Sequence, residues 1–277
     1  MKKITFISCS NGLKENQIPI INKLESIFSE LNIEVVKSPI LFDLENKWCG
    51  TGEKRAKALL NLFMDNSIDA IFDVSGGDFA NELLDFLDFE IIKNNPKPFF
   101  GYSDLSVILN SLYSQSNIES YLYQVKNIAV NDDSLKLFKD YIKNKNNDLF
   151  KFDYKWIQGN SMKGIVIGGN LRCSLKLAGT KFMPNFKDKI LLIESLGGDV
   201  SKITTYLTQY KLMGAFDEVN GVILGCFTEI EKNNLTPTVE DIILNIIDNP
   251  NLPIIKTNEI GHNSDSKCII IGKDLIL

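Results

Sequence analysis

Three side chains in this 277-residue sequence have the types needed for covalent hydrolysis of an acyl bond, in the chain order Ser103, Glu194, His262. A serine hydroxyl becomes a nucleophile when a neighbouring base takes its proton and a third group orients that base. His262 is the only histidine of the chain, so any imidazole-dependent step must use it. It stands in NEIGHNSDSKCIIIG, where Gly261, Asn263, Ser264 and Asp265 make a polar turn before a terminal strand. Such a turn suits a presented base and an ordinary solvated histidine equally. Glu194 ends the apolar run KILLIE, just before Ser195-Leu196-Gly197-Gly198. A carboxylate at the end of a buried strand needs a partner; an exposed strand end, a helix-capping acid and an acid orienting a histidine all meet that need. Ser103 lies in PFFGYSDLSVILNSLY, between extended Pro98-Phe99-Phe100 and the helically spaced Leu105, Val107–Leu109 and Leu112. A serine there caps the helix or rides the tip of a nucleophile elbow, although only one glycine of G-x-S-x-G is present. The order serine, acid, histidine is that of α/β-hydrolases.

The elements that must position these residues fall into two groups. KITFIS, NIEVVKS, DAIFDVS and KPFFGYS read as strands, separated by amphipathic helices over Gln17–Leu31 and Thr51–Asp65 and a short helix over Asn81–Phe86. Strand–helix alternation at this spacing predicts a mainly parallel sheet covered on both faces, with ligands beyond the carboxyl ends of its strands. Two glycine-bearing strand exits, VSGGDF and FGYSDL, fall there. A helix over Asp132–Lys145 and the polar linker NKNNDLFKFDYK follow. MKGIVIGGN, DKILLIES, NGVILGCFTEI and KCIIIGKDLIL, with helices over Val200–Met213 and Val239–Ile247, then predict a second, β-rich domain. The division is at 1–148 and 149–277.

Composition narrows the function classes. A net charge of −5 argues against binding a nucleic-acid polymer. Cys9, Cys49, Cys173, Cys226 and Cys268 are scattered and odd in number, with no C-x-x-C pair, and read as reduced thiols of a cytoplasmic protein. The apolar part of MKKITFISCSN is too short for a signal peptide, and no run approaches a transmembrane helix, so a soluble protein is expected. GIVIGGN lacks the endings of phosphate and dinucleotide loops, and one histidine without ligand-spaced acids makes a metal site unexpected. No cofactor is expected.

SGGDFANELLDFLDFEIIKNNPKPFFGYSD (75–104), GGNLRCSLKLAGTKFMPNFKDKILLIES (168–195) and IGH (260–262) together resemble the serine LD-carboxypeptidase family, which includes muropeptide LD-carboxypeptidases and peptidases giving immunity to microcin C. The resemblance implies a first domain like the class I glutamine-amidotransferase sandwich and a small C-terminal β-barrel. It implies Ser103 as nucleophile, Glu194 as orienting acid and His262 as base, with the oxyanion held by the backbone N–H groups of Gly77 and Asp104. It further implies a small peptide or peptidyl-nucleotide substrate contacted by Asp78, Glu82 and Arg172, and a homodimer. A catalytically silent ligand-binding module on the same fold is the alternative. Phe79 and Glu82 stand where muropeptide enzymes tend to have glycine and arginine, and the family's Gly-Pro is replaced near Tyr123-Gln124. Only Arg55 and Arg172 are arginines; Arg172 is the expected partner of a substrate carboxylate, which Glu82 would repel, so an immunity-type or broader peptidase is expected.

Overall fold

The computed structural model of the chain describes residues 1–43, 48–144 and 146–277. The first half supplies β1 (Lys3–Ile7), β2 (Glu34–Lys37), β3 (Ala70–Asp73), β4 (Phe99–Gly101) and β5 (Ser120–Leu122). They lie in the order β5-β4-β3-β1-β2, all parallel. β3 and β4 are buried throughout, which is why they read as unbroken apolar runs rather than alternating ones. The helix Ile18–Glu30 turns Ile21, Leu24, Ile27 and Phe28 inward, as its 3.6-residue spacing predicts. Strand order reverses between β1 and β3, and the crevice beyond their carboxyl ends is where such sheets bind ligands.

The second half builds β6 (Lys155–Gln158), β7 (Lys163–Asn170), β8 (Lys189–Ser195), β9 (Gly221–Phe227), β10 (Ile254–Lys256), β11 (Ile269–Ile271) and β12 (Asp274–Ile276). Its sheet runs β12-β7-β8-β9-β10-β6, with four parallel central strands and an antiparallel strand at each edge. The edge strands do not pair with each other, so the sheet is a half-barrel rather than a closed one. It is also more α/β in character than its glycine-punctuated sequence suggests, because Val200–Leu212 and Val239–Ile246 bury Ile203, Leu207, Ile242 and Ile243 in its core.

Two segments depart from the expected division at 148/149. KCIIIGKDLIL is not one strand: β11 adds antiparallel to β5 in the first sheet, and β12 returns to β7 in the second. Gly272 makes the bend at φ +89, a conformation a side chain would strain. The polar linker is anchored, because Leu149 is buried and its carbonyl accepts the Cys268 N–H at 2.9 Å. The preceding helix covers Asp132–Asn144, and Lys145, its expected last residue, lies outside the described residues.

The helix Ser106–Ser116 is buried on nearly every side, because it lies between the two halves. Asn110 donates Nδ2 to the Gly168 carbonyl at 2.7 Å and accepts the Gly168 N–H at Oδ1 at 2.8 Å. The Ser106 hydroxyl accepts the Asn170 N–H at 2.9 Å. A Cβ on Gly169 would meet that hydroxyl oxygen at 2.6 Å, so this close approach requires glycine.

Arg55 is 1% exposed and ties the first half together from below the crevice. Its guanidinium donates to the carbonyls of Cys9 (2.6 Å) and Phe79 (3.0 Å) and pairs with Glu82. Removing the cation strands these carbonyls beside an unpaired carboxylate. Arg55→Leu is therefore expected to lower unfolding stability by about 2–4 kcal/mol in urea titrations; a loss below about 0.5 kcal/mol would show that the pair is dispensable.

Candidate active site

The β4 exit positions Ser103. Tyr102 is extended (φ −157, ψ 157), and Ser103 then enters the left-handed region at φ 56 before a 3-10 turn leads into the helix. A non-glycine residue holds that conformation at a cost of about 1–3 kcal/mol, and only where its surroundings over-determine it. Ser103 makes no capping hydrogen bond to the helix. The sharp turn aims its hydroxyl away from the helix, and Oγ lies 3.1 Å from His262 Nε2.

Glu194, at the carboxyl end of β8, is fully buried. Its Oε2 lies 2.6 Å from His262 Nδ1, and its Oε1 accepts Asn170 Nδ2 at 3.0 Å. The register of β7 on β8 sets Asn170 directly opposite Glu194. Gly225, on the next strand, gives the carboxylate stem room, since a Cβ there would sit 2.9 Å from the Glu194 Cβ and 2.5 Å from the Ile260 carbonyl oxygen. His262 follows β10, and the Tyr102 ring packs on it with centroids 4.4 Å apart. Burial, then the Glu194 carboxylate, push the Tyr102 phenol well up, so it stays neutral against the imidazole.

Gly76-Gly77 leaves the carboxyl end of β3 beside Ser103. Gly77 has φ +129, and a Cβ there would overlap the Asn11 amide. Among the described residues, neither the Gly77 N–H nor the Asp104 N–H donates to a protein acceptor. The Asp104 side chain, fully buried, accepts the Ser10 hydroxyl at 2.6 Å and the Ala80 N–H at 2.9 Å, and pairs with Lys176. The same Lys176 donates to the Asp78 carbonyl at 2.8 Å, while Arg172 pairs with the Asp78 carboxylate at 2.9 Å. Two cations from the second half thus clamp the loop after β3.

Ser103 and Gly77 form part of the wall of two adjoining clefts. One, of about 470 Å³, is bounded by Asp78, Asn170, Arg172, Lys202 and Glu229. The other, of about 340 Å³, holds His262, Tyr102, Lys14, Gln124 and Lys126. Of the residues expected at the site, Ser103, Glu194, His262, Gly77, Asp104, Asp78 and Arg172 converge here. Glu82 does not. It lines neither cleft, because the buried Arg55 guanidinium takes its carboxylate, so it is not placed to repel a substrate carboxylate. Asn170, Lys176, Tyr102 and Lys126 escaped the sequence reading; GGN preceding Arg172 carried the one usable signal, a polar residue ending a buried strand. All five cysteines are buried. Burial pushes the thiols of Cys49 and Cys226 up to about 11 and that of Cys173 up to about 12.

Residues 4–123 match the LD-carboxypeptidase N-terminal domain and residues 163–277 the LD-carboxypeptidase C-terminal domain. The chain belongs to the LD-carboxypeptidase family and is a carboxypeptidase of that family. It is 24% identical over 266 residues to the microcin C7 self-immunity protein MccF of Escherichia coli, covering 82% of this chain and 76% of that protein. The solved structure of MccF in complex with aspartyl sulfamoyl adenosine superposes with a TM-score of 0.85 at 19% identity, covering 100% of this chain and 92% of the other. A muramoyltetrapeptide carboxypeptidase from Oxalobacter formigenes superposes at 0.83 with 18% identity, covering 99% of this chain and 94% of the other. At these identities the superpositions show the fold.

Asn170 holds the outer oxygen of a buried carboxylate and caps the turn after β7 by accepting the Cys173 N–H at 3.2 Å. Asn170→Ala is expected to cost about 1–3 kcal/mol of stability. A urea midpoint equal to that of the wild type would show that Glu194 needs no second donor.

Proposed function

We propose that this carboxypeptidase is a serine hydrolase in which Ser103, His262 and Glu194 act as nucleophile, base and orienting acid, cleaving an amide bond at the C-terminal end of a small peptide or peptide conjugate. One observation carries the reading: the unbroken chain Glu194 Oε2 to His262 Nδ1 at 2.6 Å and His262 Nε2 to Ser103 Oγ at 3.1 Å, assembled from three separate strand ends.

The chemistry follows from those atoms. His262 Nε2 takes the Ser103 proton as Oγ bonds to the scissile carbonyl carbon. The resulting oxyanion meets the Gly77 and Asp104 N–H groups, which have no protein acceptor to release first among the described residues. His262 then gives its proton to the leaving nitrogen, the C–N bond breaks, and water deprotonated by His262 hydrolyses the ester. Glu194 stabilises the imidazolium and keeps the hydrogen on Nδ1 of the neutral ring. No step calls for a cofactor. With Glu82 spent on Arg55, both an LD-peptide and an aminoacyl-nucleotide conjugate remain substrates for this site.

Ser103→Ala is expected to lower kcat/KM at least 10³-fold on an LD-tetrapeptide, and Glu194→Gln by about 10³- to 10⁴-fold, since it destroys the tautomer control of the ring. Activity of Ser103→Ala within tenfold of wild type would refute the nucleophile assignment. His262 accepts a proton only as the neutral ring, so the rate is expected to fall as the solution is acidified. A rate unchanged in acid would exclude His262 as base. A fluorophosphonate should abolish turnover while iodoacetamide spares it, because the buried thiols stay protonated at neutral pH. Loss of activity to iodoacetamide alone would point to a cysteine route.

A further inference from the structure

The two clefts that meet at Ser103 are chemically unequal, and the proposed mechanism says which takes which end of the substrate. The base returns its proton to the leaving nitrogen, so the leaving group must lie on the imidazole side of the nucleophile. That side is the cleft containing His262, Tyr102, Gln124 and Lys126. The acyl part then occupies the cleft bounded by Asp78, Arg172 and Lys202.

The cations differ in the same sense. Arg172, the expected carboxylate partner, is already paired with Asp78 at 2.9 Å and donates to the Gly77 carbonyl at 3.3 Å; it stands on the acyl side. Lys126 is half-buried in the wall of the leaving-group cleft, on the 3-10 turn Val125–Ala129 that Gln124 caps by accepting the Lys126 N–H. Among the described residues, its ammonium makes no hydrogen bond and no ion pair. Asp73, whose field reaches it, is buried and spends its carboxylate on the Cys9 N–H and on the N–H and hydroxyl of Ser75. Burial lowers the Lys126 ammonium from the usual lysine range, the direction expected of a cation withdrawn from water without a partner. A half-buried unpaired ammonium facing a cleft is costly on its own and becomes favourable when an anion enters. Lys14 shares this cleft but is exposed and mostly solvated.

We infer that Lys126 is the specificity-determining residue for the leaving group, binding an anionic substituent carried close to the leaving nitrogen. The chemistry fits the α-carboxylate of a terminal amino acid, and equally the phosphoryl or sulfamoyl group of an aminoacyl-nucleotide. The inference rests on the proposed roles of Ser103 and His262, which fix the direction of the substrate.

The test compares kcat/KM for an LD-tetrapeptide with a free terminal carboxylate, the same peptide as its C-terminal amide, and an aspartyl-nucleotide conjugate. Wild type is expected to prefer an anionic leaving group over the amide by about tenfold to a hundredfold, the range of one charge-assisted hydrogen bond. Which of the two anionic substrates leads identifies the source of the anion. Lys126→Met should collapse the preference towards unity, Lys126→Arg should keep most of it, and Lys202→Met in the acyl cleft should leave the ratio in place. Equal losses on all three substrates in Lys126→Met, or a ratio that collapses only in Lys202→Met, would overturn the inference. If wild type hydrolyses none of them, the proposed chemistry fails separately. Calorimetric titration of Ser103→Ala with the tetrapeptide and its amide then decides the point. Tighter binding of the carboxylate form, abolished by Lys126→Met, supports the assignment; equal affinities overturn it.

Discussion

The helix Ser106–Ser116 is the part on which the rest depends. It begins three residues after Ser103, packs against both sheets, and is fastened to the second by Asn110, which satisfies the donor and the acceptor of the Gly168 backbone together. A buried amide with both ends matched allows little sliding, because a shift of one residue would leave polar groups unpaired in the core. The spacing between Ser103 and the Glu194–His262 pair is therefore held by a packing contact outside these three side chains. The glycines at 168 and 169, both at positive φ, permit it by letting β7 approach the helix closely.

A second constraint is the handling of charge. The site holds buried carboxylates at Asp104 and Glu194, and each is surrounded by donors before any substrate arrives. Glu194 faces the His262 ring, and in the proposed mechanism its negative charge stabilises the imidazolium. Asp104 faces Lys176 and two loops, so its charge joins the turn carrying Ser103 to the loops after β1 and β3. Arg55 does the same from beneath, where its guanidinium collects the carbonyls of the crevice loops. Lys126 differs, since among the described residues it makes no ion pair and only the field of the buried Asp73 reaches it. That separates it from the cations that hold the fold.

Much of the plan was legible in the residues. The apolar runs and 3.6-residue spacings marked the strands and helices of the first half, because burial on two faces or one leaves a pattern that survives without coordinates. The glycine-bearing strand exits marked the crevice loops, and the lone histidine drew attention to itself by being the only imidazole in the chain. Arg55 was less legible. Only the fold shows that it is buried and takes Glu82 out of the cleft. The terminal run KCIIIGKDLIL reads as part of the second, β-rich domain, since periodicity reports burial and not which sheet a strand joins; the positive φ at Gly272 divides it between two sheets.

What the sequence determined by itself was the inventory: one imidazole, a serine at a strand-to-helix turn, an acid ending a buried strand, and a parallel α/β frame with its ligand crevice at the carboxyl ends. Those are local properties, written in residue type and spacing. Tertiary structure decided the distances and the partnerships. Asn170 reaches Glu194 through strand register, Lys176 reaches Asp104 across the junction of the two halves, and Arg172 is claimed by Asp78 while Lys126 stands in the cleft wall. None of these pairs is close in sequence, and each side chain had several chemically adequate partners. Only the packing of one sheet against the other, with the helix Ser106–Ser116 between them, selects among them.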